Sequence, residues 1–251
     1  MATERDVIIA CDFKSADETI KFLDKLTRIR DEVVSCDDIS IGAGRPYVKI
    51  GMELFYAEGP EMIKLLKDRG HKVFLDLKLH DIPNTVKKSM QVLGEYGVDM
   101  VNVHAAGGVA MMNAAKEGLM LGAARYADKP KLIAVTQLTS TDEETLHNEL
   151  LIGKPMNEVV RQYALNAKTA GLDGVVCSAF EAAEIHEACG ADFLTVTPGI
   201  RFKDNAADDQ RRVMSPAQAK EAGSDFIVVG RPVTAAEKPI EAYTRCKNEF
   251  I

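Results

Sequence analysis

Short apolar runs rich in valine and isoleucine recur along the 251-residue chain, and charged stretches separate them. They are DVIIACD (6–12), YVKIG (47–51), KVFLDLK (72–78), DMVNVHA (99–105), KLIAVTQL (131–138), GVVCSA (174–179), FLTVTPG (193–199) and FIVVGR (226–231). Near-continuous apolar runs of this length fit parallel strands covered on both faces. Amphipathic segments lie between them. SADETIKFLDKL opens with Ser15 ahead of Asp17 and Glu18, a cap followed by an acidic first turn. GPEMIKLLKDRG has Pro60 near its start and Gly70 after its end. PNTVKKSMQVLGEYG and NEVVRQYALNAKTAG behave alike, and VTAAEKPIEAYTRCKNEF supplies a last helix with an interruption at Pro239.

Eight strands alternating with helices predict an α/β chain folded as a (β/α)8 TIM barrel, one domain over residues 1–251. A doubly wound open sheet is the alternative. The count of eight, and the lack of a glycine-rich turn after the first run, favour the barrel. No linker, low-complexity tract or repeat beyond the strand–helix rhythm is seen. Three connections are long: 29–46 with its insert-like CDDISIGAGRP, 139–155, and 200–216. The last two leave strand C-terminal ends, where barrel active sites are built, and could close over a ligand.

Composition narrows the function. An apolar fraction of 46% in a chain this long supports a large core without disulfides or a structural metal. The balance of 31 basic and 38 acidic side chains, net −7, argues against a nucleic-acid face but leaves room for an anionic substrate held by a few converging cations. The five cysteines, Cys11, Cys36, Cys177, Cys189 and Cys246, are odd in number, widely spaced and without a CxxC. They read as reduced, buried thiols of a cytoplasmic protein. The N-terminal sequence has no signal-peptide pattern, and no stretch reaches the ~18 apolar residues of a membrane span.

Charges inside the predicted strands carry the chemistry. Period-two alternation puts Phe74, Asp76 and Lys78 on one face of the third strand and turns Leu75 and Leu77 toward the helices. Asp81 follows on the loop. A structural ion pair would explain Asp76 and Lys78 alone. Asp12 at the end of the first strand and Lys49 in the second make four alternating charges at one rim, which are costly to bury without a function. TPGIR (197–201) and GRP (230–232) follow strands seven and eight, where many barrels bind phosphate. Gly199 and Gly230 permit close backbone approach, and Arg201 and Arg231 offer forked donors.

Other features read as structure. GAGRP (42–46) precedes a strand, on the wrong side of the barrel for chemistry. GGVAMM (107–112) reads as a tight turn into a helix. The five histidines lack a metal-ligand spacing. Asn102 and His104, on one inward face, read as satisfied polar residues of the core or as supports of the site rather than as catalytic groups.

FLDLKLHDIPNTV (74–86) resembles the signature of the orotidine 5′-phosphate decarboxylases. Asp12 in ACDF, Lys49 in VKIG, VTQLTS (135–140), TPGIR, Gln210 and VVGRP (228–232) match in order, so the resemblance runs from about residue 6 to residue 240. The shorter DxKxxD core is shared with metal-dependent 3-hexulose-6-phosphate synthases and 3-keto-gulonate-phosphate decarboxylases; the IPNT continuation favours the orotidylate enzymes.

The resemblance implies a homodimer without metal or organic cofactor that converts orotidine 5′-phosphate to UMP and CO2. It implies Lys78 as proton donor within an array of Lys49, Asp76 and Asp81, with Asp81 reaching the partner subunit's site. It runs the substrate site along the signature, from Asp76, Leu77, Lys78, Leu79 and His80 to Asp81, Ile82, Pro83, Asn84 and Thr85. Asp12, Lys49 and Thr85 would hold the ribose, Thr139 and Ser140 would face the pyrimidine, Gln210, Gly230 and Arg231 would bind phosphate beside Arg201, and Pro198 would also belong to the substrate site. The segment 29–46 is longer than in compact members of the family. A metal-dependent sugar-phosphate enzyme on the same barrel and a catalytically silent phosphoribosyl-binding barrel stand as alternatives.

Overall fold

In the computed structural model, which describes residues 5–27, 45–202 and 214–251, eight parallel strands close into a barrel in sequence order. They are β1 (Asp6–Ala10), β2 (Tyr47–Gly51), β3 (Val73–Leu79), β4 (Met100–His104), β5 (Lys131–Val135), β6 (Gly174–Val176), β7 (Leu194–Thr197) and β8 (Phe226–Val229). The predicted barrel holds, and the open-sheet alternative does not, because β8 pairs with β1 from Asp6↔Phe226 to Ile9↔Val229. The predicted C-terminal interruption is real: a short helix, Arg231–Thr234, is followed by a longer one, Pro239–Phe250. The connection after β5 contains a helical turn at Thr145–Glu149. Most of 29–46 and 200–216, Cys36 and Gln210 lie outside the described residues.

Alternation along the strands divides the core. Ile8, Tyr47, Phe74, Met100, Ile133, Val196 and Phe226 fill the barrel. Their sequence neighbours Val7, Ile9, Val48, Leu75, Val101 and Ile227 face the helices in the larger outer layer. Cys11, Cys177, Cys189 and Cys246 are buried free thiols. Burial of neutral sulfur pushes the Cys11 and Cys246 pKa values up to about 12, as expected of inert core thiols.

The helices Pro83–Glu95 and Gly108–Gly122, which follow β3 and β4, meet backbone to backbone. A Cβ on Gly118 would stand 2.0 Å from the Lys87 carbonyl oxygen, and one on Gly122 1.9 Å from that of Gln91. Only glycine fits there. This contact fixes the helix that leaves the charged third strand.

The N-terminal face carries a repeat that the strand–helix rhythm conceals. Of four Gly-x-Asp triplets, the one at 190–192 precedes β7 by one residue and is not part of the pattern; the other three, at 97–99, 171–173 and 223–225, stand directly before β4, β6 and β8. Each glycine has a positive φ, 71°, 78° and 89°, so the chain turns sharply into the aspartate. Each carboxylate accepts an N–H from the preceding strand: Val73 to Asp99 and Leu132 to Asp173 at 2.7 Å, Thr195 to Asp225 at 2.8 Å. A basic side chain from the helix that leads into that preceding strand completes each clamp: Lys67 and Lys116 at 2.6 Å, His186 at 3.0 Å. Features at this end of a barrel serve stability.

Candidate active site

The C-terminal ends of β1 to β3 build one charged chain. Lys49 Nζ lies 3.0 Å from Asp12 Oδ1 and 3.3 Å from Asp76 Oδ2. Lys78 Nζ lies 2.6 Å from Asp76 Oδ1. The order is therefore Asp12, Lys49, Asp76, Lys78, with alternating sign. Lys49 and Asp76 side chains are only 11% and 13% exposed, whereas Asp12 opens to solvent at 61% and Lys78 is intermediate at 25%. Gly51 leaves the space: a Cβ there would stand 3.2 Å from Asp12 Oδ1 and 3.4 Å from Lys49 Nζ.

Burial works against both inner charges, yet the partners prevail. Burial lowers the Lys49 pKa, but Asp76 and then Asp12 raise it further, so it ends above the ordinary lysine value. Burial raises the Asp76 pKa, but Lys49, Lys78 and a hydrogen bond from Asn102 bring it below the ordinary carboxylate value. The two directions agree, and the pair is ionised at neutral pH.

Lys78 reaches the array by a different route from simple alternation. Asp76 points inward with Phe74, as expected, and Leu77 packs outward in the helix-facing layer. The β3–β4 register then breaks between Leu75 and Leu79, and Lys78 has φ +53°. A left-handed backbone costs a non-glycine residue about 1 kcal/mol or more. The bulge re-aims the lysine over the rim. This local geometry has no composition signal. Asn102, 1% exposed, donates to Asp76 Oδ1 at 2.7 Å and accepts the Lys78 N–H at 2.8 Å, so it is the polar support expected on β4. His104 stacks obliquely near His80, with ring centroids 5.9 Å apart. Burial, with His80 and Lys78, holds its pKa below the ordinary histidine value.

The other predicted residues fall into three places. Asp81, Ile82, Pro83, Asn84 and Thr85 form an exposed turn into the helix that Pro83 opens. The Asp81 carboxylate accepts the Ile82 N–H at 2.6 Å, on that turn. Leu77 and Leu79 pack on the helix side, so the rim can meet them only through backbone. Thr139 and Ser140 lie beyond β5, and Pro198 beyond β7. Gly199 has φ +83°, and Arg201 donates from its guanidinium to the Ile200 carbonyl at 2.9 Å and from its backbone to Met214 at 3.0 Å. Gly230 caps the Arg231–Thr234 helix at the end of β8, which neighbours β1 and Asp12. GGVAMM is the tight turn expected, entering the Gly108–Gly122 helix.

Among the described residues no group of three or more His, Cys, Asp or Glu is placed to hold a metal ion. Asp12 and Asp76 are each matched to lysine instead. No helix of the described residues is long and apolar enough to cross a membrane.

A closed parallel barrel with alternating lysines and aspartates at its C-terminal mouth defines an enzyme of the (β/α)8 class. The comparisons are more specific. Residues 39–246 match the model of the orotidine 5′-phosphate decarboxylase / HUMPS family, and the chain belongs to that family. It is 55% identical over 244 residues to the orotidine 5′-phosphate decarboxylase of Bacillus caldolyticus, covering 97% of this chain and 93% of that one. It is 61% identical over 204 residues to the Halalkalibacterium halodurans enzyme of the same name, covering 81% and 87%. The crystal structure of orotidine 5′-phosphate decarboxylase from Lactobacillus acidophilus superposes with a TM-score of 0.83 at 44% identity, covering 98% and 99%.

Proposed function

We propose that this chain, acting over its whole length as one barrel, decarboxylates orotidine 5′-phosphate to UMP and CO2. The observation that carries the reading is the Asp12–Lys49–Asp76–Lys78 array at the barrel mouth of a member of this family. The carboxylate leaves a ring carbon whose electron pair has no adjacent carbonyl sink. The developing carbanion therefore needs fixed positive charge. Lys78 supplies it without reorganisation, then gives its proton to the carbanion to form UMP, and water restores that proton. Total barrier lowering must approach ~20 kcal/mol or more, which no single contact provides.

Asp76, itself anchored by Lys49, holds the Lys78 ammonium in place, and Asp12, Lys49 and Thr85 bind the ribose hydroxyls. Thr139 and Ser140 face the pyrimidine, and Pro198 lines the substrate site. Gln210, Gly230 and Arg231, with Arg201 beside them, bind the phosphate far from the reacting carbon. That remote binding drives closure and thereby contributes to the transition state. The signature turn, His80 to Thr85, belongs to a homodimer interface, with Asp81 completing the array of the partner subunit. The exposure of Asp81 and of Ile82, 67% exposed beside it, supports that arrangement. The enzyme works in the cytoplasm.

The metal-dependent sugar-phosphate reading is less favoured, because the carboxylates of the array, Asp12 and Asp76, each lie against an ammonium group. An ultraviolet assay with orotidine 5′-phosphate, with and without EDTA, separates the two. Turnover indifferent to EDTA is expected; turnover abolished by EDTA and restored by a divalent metal would overturn the reading.

A further inference from the structure

We propose that Asn102 is a positioning residue that locks Lys78 in its left-handed conformation and so aims the ammonium at the reacting carbon. The inference rests on the reading of Lys78 as proton donor. The β3–β4 ladder pairs Leu75 with Val101 and resumes at Leu79 with Val103. Between these pairs, Asp76, Leu77 and Lys78 face a single residue, Asn102. The bulge takes the Lys78 N–H out of the ladder, and the Asn102 Oδ1 accepts it at 2.8 Å. The Asn102 Nδ2 donates at 2.7 Å to Asp76 Oδ1, the same oxygen that receives Lys78 Nζ at 2.6 Å.

One buried amide therefore ties the backbone of the lysine to the carboxylate that holds its side chain. The chemistry fixes the amide's orientation, since the backbone N–H requires an acceptor and the carboxylate a donor. Leucine at this position would take the acceptor from the Lys78 N–H and remove one of the two donors on Asp76 Oδ1 in a buried site. Aspartate would keep the acceptor and turn a second carboxylate on Asp76. Without the acceptor, φ +53° has no compensating bond, and relaxation to an extended backbone would swing the lysine off the rim. Nucleotide binding does not depend on that swing, whereas proton delivery does.

The test compares Asn102→Leu and Asn102→Asp with the wild-type enzyme, measuring kcat, UMP affinity by calorimetry, and the crystal structure. Asn102→Leu should lose about 100-fold or more in kcat, keep UMP affinity within about threefold, and show Lys78 out of the left-handed region. A kcat within about threefold, an equal loss of UMP affinity, or an unchanged Lys78 φ would overturn the role. Asn102→Asp decides the matter should the leucine variant not fold. Its carboxyl can donate to Asp76 only when protonated, so its deficit in kcat relative to wild type should shrink as pH falls toward the carboxylate range. A deficit that does not vary with pH would overturn the proposal. Lys78→Ala separates the parent reading. Turnover retained there removes the donor role, while an inactive Lys78→Ala beside a fully active Asn102→Leu removes only the positioning role.

Discussion

The Lys78 ammonium lies 2.6 Å from the carboxylate of Asp76, two residues earlier in the same strand, across a bulge that gives Lys78 a positive φ. Same-strand neighbours two apart normally stand side by side along one face. Here the register shift and the left-handed backbone at Lys78 accompany an ammonium that closes on the aspartate. The strained residue is the one whose ammonium must be placed, in keeping with strain concentrating at functional sites.

Arg231 is expected to act on phosphate alone. Arg231→Ala should weaken UMP by about 2–3 kcal/mol and leave uridine binding unchanged. Calorimetric titration with both ligands checks this. Equal losses for nucleotide and nucleoside would contradict a phosphate role.

Asp81 is expected to serve the opposite subunit. Lys78→Ala and Asp81→Ala variants should each be inactive alone, yet mixing them under subunit exchange should restore about a quarter of wild-type activity. Random pairing makes half of the dimers mixed, with one intact site in two. A mixture as inactive as its components would contradict the shared site.

Acid should destabilise the protein in stages. Burial first, with nearby Arg45 and Arg69, holds the His71 pKa below its ordinary 6.5, and burial does the same at His104. The unfolded chain protonates near that value and the folded chain does not, so stability present above 6.5 falls as pH drops through the folded values. Asp76, held below 3.8, adds a later loss at lower pH. Urea unfolding from about pH 8 to about pH 5 should slope less steeply for His71→Gln than for wild type. Identical slopes would contradict the histidine contribution.

Gly118→Ala should cost about 2–3 kcal/mol, because a Cβ would stand 2.0 Å from the Lys87 carbonyl oxygen and the two helices would have to separate. Chemical denaturation measures it. A loss under about 0.5 kcal/mol would mean that the helices yield freely.

The barrel was legible because each strand is an uninterrupted apolar run and each helix carries its own start and stop. Lys49 and Asp76 stood out because charge inside such runs is expensive. The conformation of Lys78 was not legible: period two places it inward and conceals the bulge that takes it there. The role of Asn102 was half legible, since a buried amide on β4 announces a support but not which two groups it joins. The Gly-x-Asp clamps lie in plain sequence at 97, 171 and 223, yet three residues recurring at uneven spacing gain meaning only when each carboxylate is seen on the preceding strand. Gln210 lies outside the described residues.

The most direct test of the mechanism is product formation by Lys78→Ala, followed as UMP released from orotidine 5′-phosphate, with circular dichroism to establish the fold. A folded variant that still binds UMP but shows no turnover above the uncatalysed rate is the result expected. Substantial UMP formation by that folded variant would contradict the assignment of Lys78 as the group that stabilises and protonates the carbanion.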